Sequence, residues 1–519
     1  MKKFIPILFG LLAVFPSQAA RPRLVVQIVV GSMRAGDLDR YAAHFGEGGF
    51  RRLMEGGARC TGARYDYQQT STPVSLATLT TGAMPSTHGV IGSRWLDYTD
   101  NRTVWLTEGR QGPGPYHLIA PTLSETLSLH SPDSRCITIA GEAESAVVMG
   151  GRSGEVYWLD PQQGSWTSSY FYTAELPEWI SRSNRQRYNL SFLVGDWRTL
   201  YDRTNYRNTR HWDIFLSGPS RRGGASPGAG RLSLASDYER LLYTPAGNSA
   251  LLDFAKQAIV QCRLGSDAAP DLLNICLDSS RRITEAYGPE SVEAEDMLYR
   301  LDRDLADFLT FLFAQVEEDD VLVILTSDHG TSPSYDLAAP AADRFNSRQF
   351  EVIVNGFLNV RYGAGDWVVD CNENCIWLNH NFIYERGLNL SDVQNEVAIF
   401  AMQFGGVSHA LAATAMRTSY FGSGYARRLQ NSFYPRRSGD VVFNLMPGWI
   451  GERDRCHSSS GSMYGYDTEV PLLFFGAGIA PQRIRRRVDM TCVAPTAARF
   501  LEISEPAASE GEALEEIAD

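Results

Sequence analysis

Residues 291–330, SVEAEDMLYRLDRDLADFLTFLFAQVEEDDVLVILTSDHG, contain the clearest indication of the fold class. In residues 291–319 apolar side chains recur at helical spacing with charged residues between them, which predicts an amphipathic helix. The following run, VLVILTSDHG, is continuously apolar, as is typical of a parallel strand buried on both faces. A helix that leads directly into a buried strand indicates βαβ units and an α/β fold.

Two further apolar runs extend this pattern to both ends of the chain. RLVVQIVVGSMR, residues 23–34, reads as another central strand, and VPLLFFGAGI, residues 470–479, supplies a late one. In a parallel sheet, functional residues gather where the strands end at their carboxyl side. The candidate positions are therefore four short segments: residues 31–34, 70–73, 278–285 and 326–330.

The composition is that of an ordinary globular protein. The chain has 519 residues, of which 44% are hydrophobic and 21% charged, so a disordered or collagen-like protein is excluded. The formal net charge of -12 at pH 7 argues against nucleic acid as a partner, because binding to phosphate backbones needs positive charge.

The amino terminus predicts export. Residues 1–19, MKKFIPILFGLLAVFPSQA, combine two lysines, an apolar run and small residues near the end, which is the pattern of a signal peptide. We expect a periplasmic or extracellular protein with no transmembrane segment once this peptide is removed. Residues 20–501 are predicted to form one α/β domain with insertions at about 165–250 and 333–439, and residues 502–519 an acidic, frayed tail.

Eight cysteines in an exported chain predict that some disulfides form. Cys371 and Cys375 are close enough in sequence to close a local loop. A structural zinc site is a poorer interpretation of this pair, because no second pair of ligands has a matching spacing.

Five segments occur in the order in which one known family carries them. They are TSTPVSLATLTTGAMPSTHGVIGSRW (70–95), GEVYWLDPQQGSWTSSYFY (154–172), YGPESVEAEDMLYRLDRDLADFL (287–309), TSDHG (326–330) and YGYDTEVPLLFFGAGI (464–479). Together they resemble the alkaline phosphatase superfamily, in particular the exported threonine-nucleophile alkaline phosphatases and the type I phosphodiesterases. The resemblance covers most of the chain and implies a central, mostly parallel sheet flanked by helices, with cap segments.

The resemblance implies a site with two zinc ions, in which a threonine alkoxide attacks phosphorus. Two metals neutralise the attacking and leaving oxygens of such a reaction. The nucleophile of the family falls on Thr72, and its Asp-His metal pair falls on Asp328 and His329.

Other positions of the family's site carry different residues here. The aspartate that follows the first strand falls on Gly31, and the Asp and His of the second metal fall on Arg281 and Glu285. The last histidine falls on Ser460, with His457 three residues earlier. An arginine cannot bind zinc, so the set of ligands for two metals is incomplete.

Phosphate recognition is altered as well. The Lys and Arg that the resemblance places two residues apart fall on Glu142 and Glu144, and an Asn falls on Ser93 or Arg94. Two carboxylates repel a phosphate dianion.

From these absences the sequence predicts a pseudoenzyme that has lost two-zinc phosphatase activity and serves as a binding or scaffolding component of the cell envelope, with another envelope protein as its partner. Thr72 is then vestigial, and Asp328, His329 and Glu285 form at most an incomplete metal site. No cofactor is expected or, if one binds, it is a single divalent metal, zinc or calcium.

Three alternatives stay open at this point. The chain is a metal-dependent phosphomonoesterase or phosphodiesterase with a rearranged site that uses Thr72, Asp328, His329, Glu285 and His457. Or an acidic pocket of Glu142, Glu144, Glu285 and Asp328 holds a cation, with hard oxygen ligands that favour calcium, or a cationic small molecule. Or Asp328 forms a salt bridge with Arg281 in place of binding metal.

Overall fold

The structure is a computed structural model that describes residues 21–192, 197–210, 238–337, 342–372, 374–451 and 456–518. The predicted signal peptide lies outside these residues. The strands of the described chain are β1 Leu24–Val30, β2 Ala58–Arg64, β3 Arg94–Asp97, β4 Arg102–Trp105, β5 Cys136–Ala140, β6 Glu155–Asp160, β7 Ser165–Thr167, β8 Asp271–Leu277, β9 Val321–Thr326, β10 Arg344–Phe345, β11 Val368–Asn372, β12 Cys375–Leu378, β13 Val407–Ala412, β14 Val441–Leu445, β15 Ile450–Gly451, β16 Leu472–Gly476 and β17 Gln482–Asp489.

The α-helices of the same residues are α1 Asp37–Tyr41, α2 Phe50–Gly56, α3 Thr72–Thr81, α4 Pro85–His88, α5 Leu123–His130, α6 Ala143–Gly150, α7 Glu178–Arg185, α8 Glu239–Leu242, α9 Ala246–Gln261, α10 Asp278–Tyr287, α11 Val292–Gln315, α12 Ser347–Tyr362, α13 His380–Glu385, α14 Leu390–Ala401, α15 Ala413–Thr418, α16 Gly424–Ser432, α17 Gly465–Thr468, α18 Val493–Phe500 and α19 Glu515–Ala518.

Nine strands form the central sheet, in the order β17-β2-β16-β9-β1-β8-β5-β6-β7. β1 lies between β9 and β8 and is parallel to both, while β16 and β7 run antiparallel to their neighbours. The predicted α/β class with a mostly parallel sheet is confirmed.

The sheet is buried on both faces because its strands alternate their side chains between two cores. In β1, Val25 and Val29 pack into the core beside α3, α6 and α18, whereas Val26 and Ile28 pack into the core beside α9 and α11. The predicted helix at 291–319 is α11. It begins at the Ser291 cap, whose hydroxyl accepts the Ala294 N–H, and ends where the backbone becomes extended at Val316.

Residues 344–451, which we call the cap lobe, carry a separate core. A four-stranded sheet in the order β11-β12-β14-β13 packs with α12, α13 and α14 around Phe350, Trp367 and Phe443. The insertion predicted at 333–439 overlaps this lobe, and β14 and β15 extend it to residue 451.

The prediction of a disulfide is wrong, since no disulfide joins the cysteines that the structure describes. Cys371 on β11 lies opposite Ile376 on β12, and Cys375 lies opposite Asn372. Adjacent positions along a strand point to opposite faces, so the two sulfurs are directed to different sides of the cap-lobe sheet.

The acidic tail is packed, so the prediction that it is frayed is wrong. Leu514 and Ile517 are buried, and Glu516 forms an ion pair with Arg486 on β17. The apolar residues that lie between the acidic residues of the tail hold it against the domain. Among the described residues, no helix has both the length and the apolar character needed to cross a bilayer.

Candidate active site

Thr72 is the first residue of α3, at the carboxyl edge of the central sheet. The helix is buried along its whole length and ends at Gly82, which has a left-handed backbone conformation with a φ of 70°. The Thr72 side chain is directed at the end of β9, where Oγ1 donates to Oδ2 of Asp328 at 2.7 Å and lies 3.1 Å from Nε2 of His329. The helix N-terminus favours negative charge at this position, such as an alkoxide or a phosphate.

Asp328 and His329 are held in place by backbone groups. Oδ1 of Asp328 accepts the N–H groups of Ser32 and His329, both at 2.9 Å, which leaves Oδ2 to face Thr72. Ser32 provides its N–H from the turn after β1 with a positive φ of 59°. Nδ1 of His329 lies 2.6 Å from the carbonyl oxygen of Gly330, so Nδ1 carries the proton and Nε2 is left with its lone pair.

These atoms form a donor set that fits one divalent metal. Nε2 of His329 and Oδ2 of Asp328 are 3.3 Å apart, and Thr72 Oγ1 lies within hydrogen-bond distance of both. A histidine whose other nitrogen donates to a carbonyl is the usual arrangement of a zinc ligand. Ser460, at the position of the family's last histidine, places its hydroxyl 3.4 Å from the same Nε2.

A second metal does not fit. In the described part of the chain, no group of three or more His, Cys, Asp or Glu side chains is placed to hold an ion, either at the Asp328–His329 position, where Thr72 would be the third ligand, or at the position of the second metal. The guanidinium of Arg281 is there instead: its terminal nitrogens lie 2.7 Å from Glu142, 3.6 Å from Glu285 and 3.8 Å from Asp278. Glu285 therefore faces Arg281, whereas the sequence grouped it with Asp328 and His329.

Glu142 is the centre of this charge cluster. Its carboxylate bonds both Arg281 and Arg282, and although burial by itself raises the pKa of Glu142, the two arginines lower it to about 2. The sequence predicted a pocket of carboxylates that binds a cation. In the structure the guanidinium groups of Arg281 and Arg282 already neutralise two of these carboxylates. Glu144 lies on the same helix and accepts a hydrogen bond from Ser93 at 2.9 Å.

Asp278, the first residue of the candidate segment 278–285, orients this cluster, a role that the sequence did not predict. Oδ2 of Asp278 accepts the N–H groups of Gly141 and Glu142, and Oδ1 accepts the Ser145 hydroxyl at 2.7 Å. Burial, together with the neighbouring Glu142 carboxylate, raises the pKa of Asp278. Its position as the first residue after β8 could have indicated a functional role, because functional residues gather at strand ends.

His457, the proposed substitute ligand, instead stacks on Tyr335 with the ring centroids 6.0 Å apart.

A cavity of about 480 Å³ lies between the sheet edge and the cap lobe. Thr72, Arg281 and His329 line its base. Phe345, Asn374, Phe443 and Trp449 line the opposite wall, and no sequence motif had marked them. The cap lobe therefore forms one wall of the space above the Thr72 hydroxyl.

His88 supports α3 and makes the fold sensitive to acid. Nδ1 accepts the Val90 N–H at 3.1 Å and Nε2 lies 3.1 Å from Thr78 Oγ1, so a second ring proton would face a donor. Burial, followed by the charge of Arg437, lowers the pKa of His88 to about 3. This histidine is neutral in the folded state at a pH where it is protonated in the unfolded chain.

We expect His88 to make folding about 2 kcal/mol less favourable at pH 5 than at pH 7. Its contribution is complete above the ordinary pKa of histidine and is lost as the pH falls towards the lowered value. Urea unfolding of the protein and of His88→Asn at both pH values measures it. Asparagine retains an acceptor for Val90 without titrating, so an equal loss in both proteins would contradict the assignment.

Comparison with known proteins places the chain in a family. Residues 25–464 match the family described as type I phosphodiesterase / nucleotide pyrophosphatase. The chain belongs to this family of the alkaline phosphatase superfamily. It is 28% identical over 521 residues to alkaline phosphatase PafA of Elizabethkingia meningoseptica, covering 96% of this chain and 94% of that protein. It is 27% identical to alkaline phosphatase PhoV of Synechococcus elongatus, covering 97% and 94%.

Solved structures of the superfamily have the same fold. The crystal structure of wild-type PafA superposes with a TM-score of 0.88 at 27% identity, covering 96% of this chain and 99% of that one. Phosphonoacetate hydrolase of Sinorhizobium meliloti, at 15% identity and a TM-score of 0.54, shares the fold alone.

The prediction of a pseudoenzyme that acts as an envelope scaffold is wrong. Proteins named alkaline phosphatases match this family member along nearly their whole length, and the PafA fold is retained. The lost ligands suggested an inactive protein, but Thr72, Asp328 and His329 still converge in the structure. Arg281 brings positive charge to the position of the family's second metal. The expectation of no cofactor is wrong for the same reason, because the resemblance to these phosphatases implies metal-dependent chemistry.

Proposed function

We propose that this chain hydrolyses a phosphoric ester by transferring the phosphoryl group to Thr72. The observation that carries the proposal is the Thr72 hydroxyl at a helix N-terminus, bonded to Asp328 and within 3.1 Å of His329 Nε2. The match to proteins named alkaline phosphatases supports it.

In the proposed reaction the bond from Thr72 Oγ1 to phosphorus forms while the bond from phosphorus to the ester oxygen breaks. The hydroxyl proton leaves Thr72 to water in the cavity, which keeps Oδ2 of Asp328 available as a metal ligand, and the alcohol departs with a proton taken from solvent. Water then hydrolyses the phosphothreonine, which releases phosphate when the substrate is a monoester and a phosphate monoester when it is a diester. Asp328, His329 and Thr72 would hold a divalent metal, which when bound lowers the pKa of the hydroxyl and neutralises phosphoryl charge.

The test is turnover of aryl phosphate monoesters and diesters by the full chain, treated with EDTA and then supplied with zinc or calcium. We expect activity that EDTA removes and one of these metals restores. Activity that is unchanged by EDTA would contradict the assignment of a metal to Asp328 and His329.

The charge of the site favours diesters over monoesters. Glu144 stands where the resemblance places a cation for the phosphate, and Glu142 is already bonded to two arginines. A monoester dianion has one more negative charge than a diester. The repulsion between this extra charge and the Glu144 carboxylate, at a separation of several ångströms, weakens binding by about 1–3 kcal/mol.

We therefore expect kcat/KM for an aryl phosphodiester to exceed that for the matching monoester by about tenfold or more. Glu144→Gln is expected to raise the monoester value selectively. Equal gains for both substrates in this variant would show that the carboxylate does not discriminate between them.

We also propose that the mature chain acts outside the cytoplasm, in the periplasm or beyond it. The signal-peptide pattern of residues 1–19 supports this. An envelope protein as its partner stays a prediction.

A further inference from the structure

Arg281 is the residue of the site that departs furthest from the family's chemistry. Its side chain is only 11% exposed, yet it lines the cavity together with Thr72. The terminal nitrogens face the carboxylates of Glu142, Asp278 and Glu285, while Nε–H has no hydrogen-bond acceptor in the described chain. Nε has almost no exposed surface, so any contact of the guanidinium with a ligand in the cavity is made by its terminal nitrogens.

Gly31 allows α10 to approach the turn after β1 closely at residue 281. A Cβ atom at residue 31 would lie 2.8 Å from Cβ of Arg281 and 3.1 Å from its backbone nitrogen, and no Cβ is accommodated at such distances without a shift. Residue 281 has a backbone nitrogen and a Cβ whatever its side chain, so the glycine is required by the close approach of α10 to the turn after β1. A carboxylate ligand at residue 31 would need α10 to shift, so the family's first aspartate does not fit here.

A guanidinium at this position can neutralise and bind phosphoryl oxygens, as a metal ion does. It stays charged at any working pH, and its planar N–H groups match the oxygens of a phosphoryl group. The carboxylates around it fix its orientation before substrate binds, which lowers the entropy cost of recognition.

We propose that Arg281 replaces the second metal ion and that its guanidinium binds an oxygen of the phosphoryl group above Thr72. This inference rests on the proposed function and gives the site one metal, held by Asp328 and His329, and one built-in cation. Arg281 is then a substrate-binding residue, and the protein needs one equivalent of metal.

The matched control is Arg282. It bonds the same Glu142 carboxylate and also contacts the Tyr243 hydroxyl at 3.4 Å, but its Nε is occupied by Glu142. Arg282→Gln therefore removes the same kind of charge from the same cluster, and it reports how much of any effect is structural.

The experiment measures metal content and phosphate affinity in the full chain, without turnover. Elemental analysis and native mass spectrometry are expected to find one equivalent of zinc in the protein. Calorimetry with inorganic phosphate is expected to give a Kd at least about tenfold weaker in Arg281→Gln, with a smaller change in Arg281→Lys and in Arg282→Gln. The lysine variant, which keeps the charge, preserves the test where the glutamine variant does not fold.

Two outcomes would overturn the inference: two equivalents of bound zinc, or phosphate affinities that are equal in Arg281→Gln and Arg282→Gln. Neither outcome depends on Thr72. Loss of the proposed function appears instead as ester turnover that survives removal of the Thr72 hydroxyl, so the two failures are distinguishable.

Discussion

Thr72→Ala is expected to lower kcat/KM for aryl phosphodiesters by about 10³-fold or more. The substitution removes the only atom of this residue that can bond to phosphorus, while the methyl group left behind cannot accept a phosphoryl group. Thr72→Ser keeps an oxygen at the same place and is expected to retain a substantial part of the activity. Initial rates at saturating metal, with the same preparation assayed for metal content, measure both effects.

A second measurement identifies the intermediate. Acid quench during turnover, followed by peptide mass spectrometry, is expected to place a phosphoryl group on Thr72. The control is Thr80→Ala on the same helix, whose hydroxyl bonds only to the helix's own carbonyls at Leu76 and Ala77. The proposed mechanism fails if Thr72→Ala keeps more than about a tenth of the activity.

Glu142→Gln is expected to destabilise the protein by about 2–4 kcal/mol. The carboxylate neutralises Arg281 and Arg282 together, and its removal leaves two poorly solvated guanidinium groups with less compensation. An amide can accept one of the hydrogen bonds but supplies no charge. Urea unfolding at neutral pH, read by far-UV circular dichroism, gives the difference in free energy of unfolding.

The control for this substitution is Glu178→Gln. Glu178 also pairs with an arginine, Arg185, but both side chains are more than 60% exposed. A pair in solvent contributes little, so we expect a change below about 0.5 kcal/mol. Equal destabilisation by the two substitutions would mean that burial of the Glu142 cluster does not determine its contribution.

The fold could be predicted from local pattern. The runs that became β1 and β9 are apolar at every position but one or two, because parallel central strands are covered on both faces, and α11 carries its apolar stripe at helical spacing. The cap lobe was less visible. Its strands are short, and the edge strands β11 and β13 are partly exposed whereas β12 and β14 are buried, so the sequence showed no single pattern there.

The disulfide and the frayed tail show where pattern misleads. Cysteine count and spacing suggested a loop between Cys371 and Cys375, but strand register directs them to opposite faces. Acidic composition suggested a loose tail, yet Leu514 and Ile517 bury their side chains against the domain. The direction of the cysteine side chains and the packing of the tail both depend on contacts between segments that are distant in sequence, which local sequence patterns do not reveal.

Apolar periodicity in the sequence is enough to predict the α/β fold, because it follows from local backbone geometry. The resemblance of short motifs to the family implied Thr72, Asp328 and His329. Only the tertiary structure decided what surrounds them. Glu142 and Arg281 are 139 residues apart and meet because β5 and β8 are neighbours in the sheet. In the sequence, Arg281 stood where the resemblance implies a metal ligand, and Glu142 stood where it implies a cation for phosphate. In the fold they form a neutralised ion pair that lines the same cavity as Thr72, because electrostatic attraction depends on distance in space and is stronger where solvent is excluded.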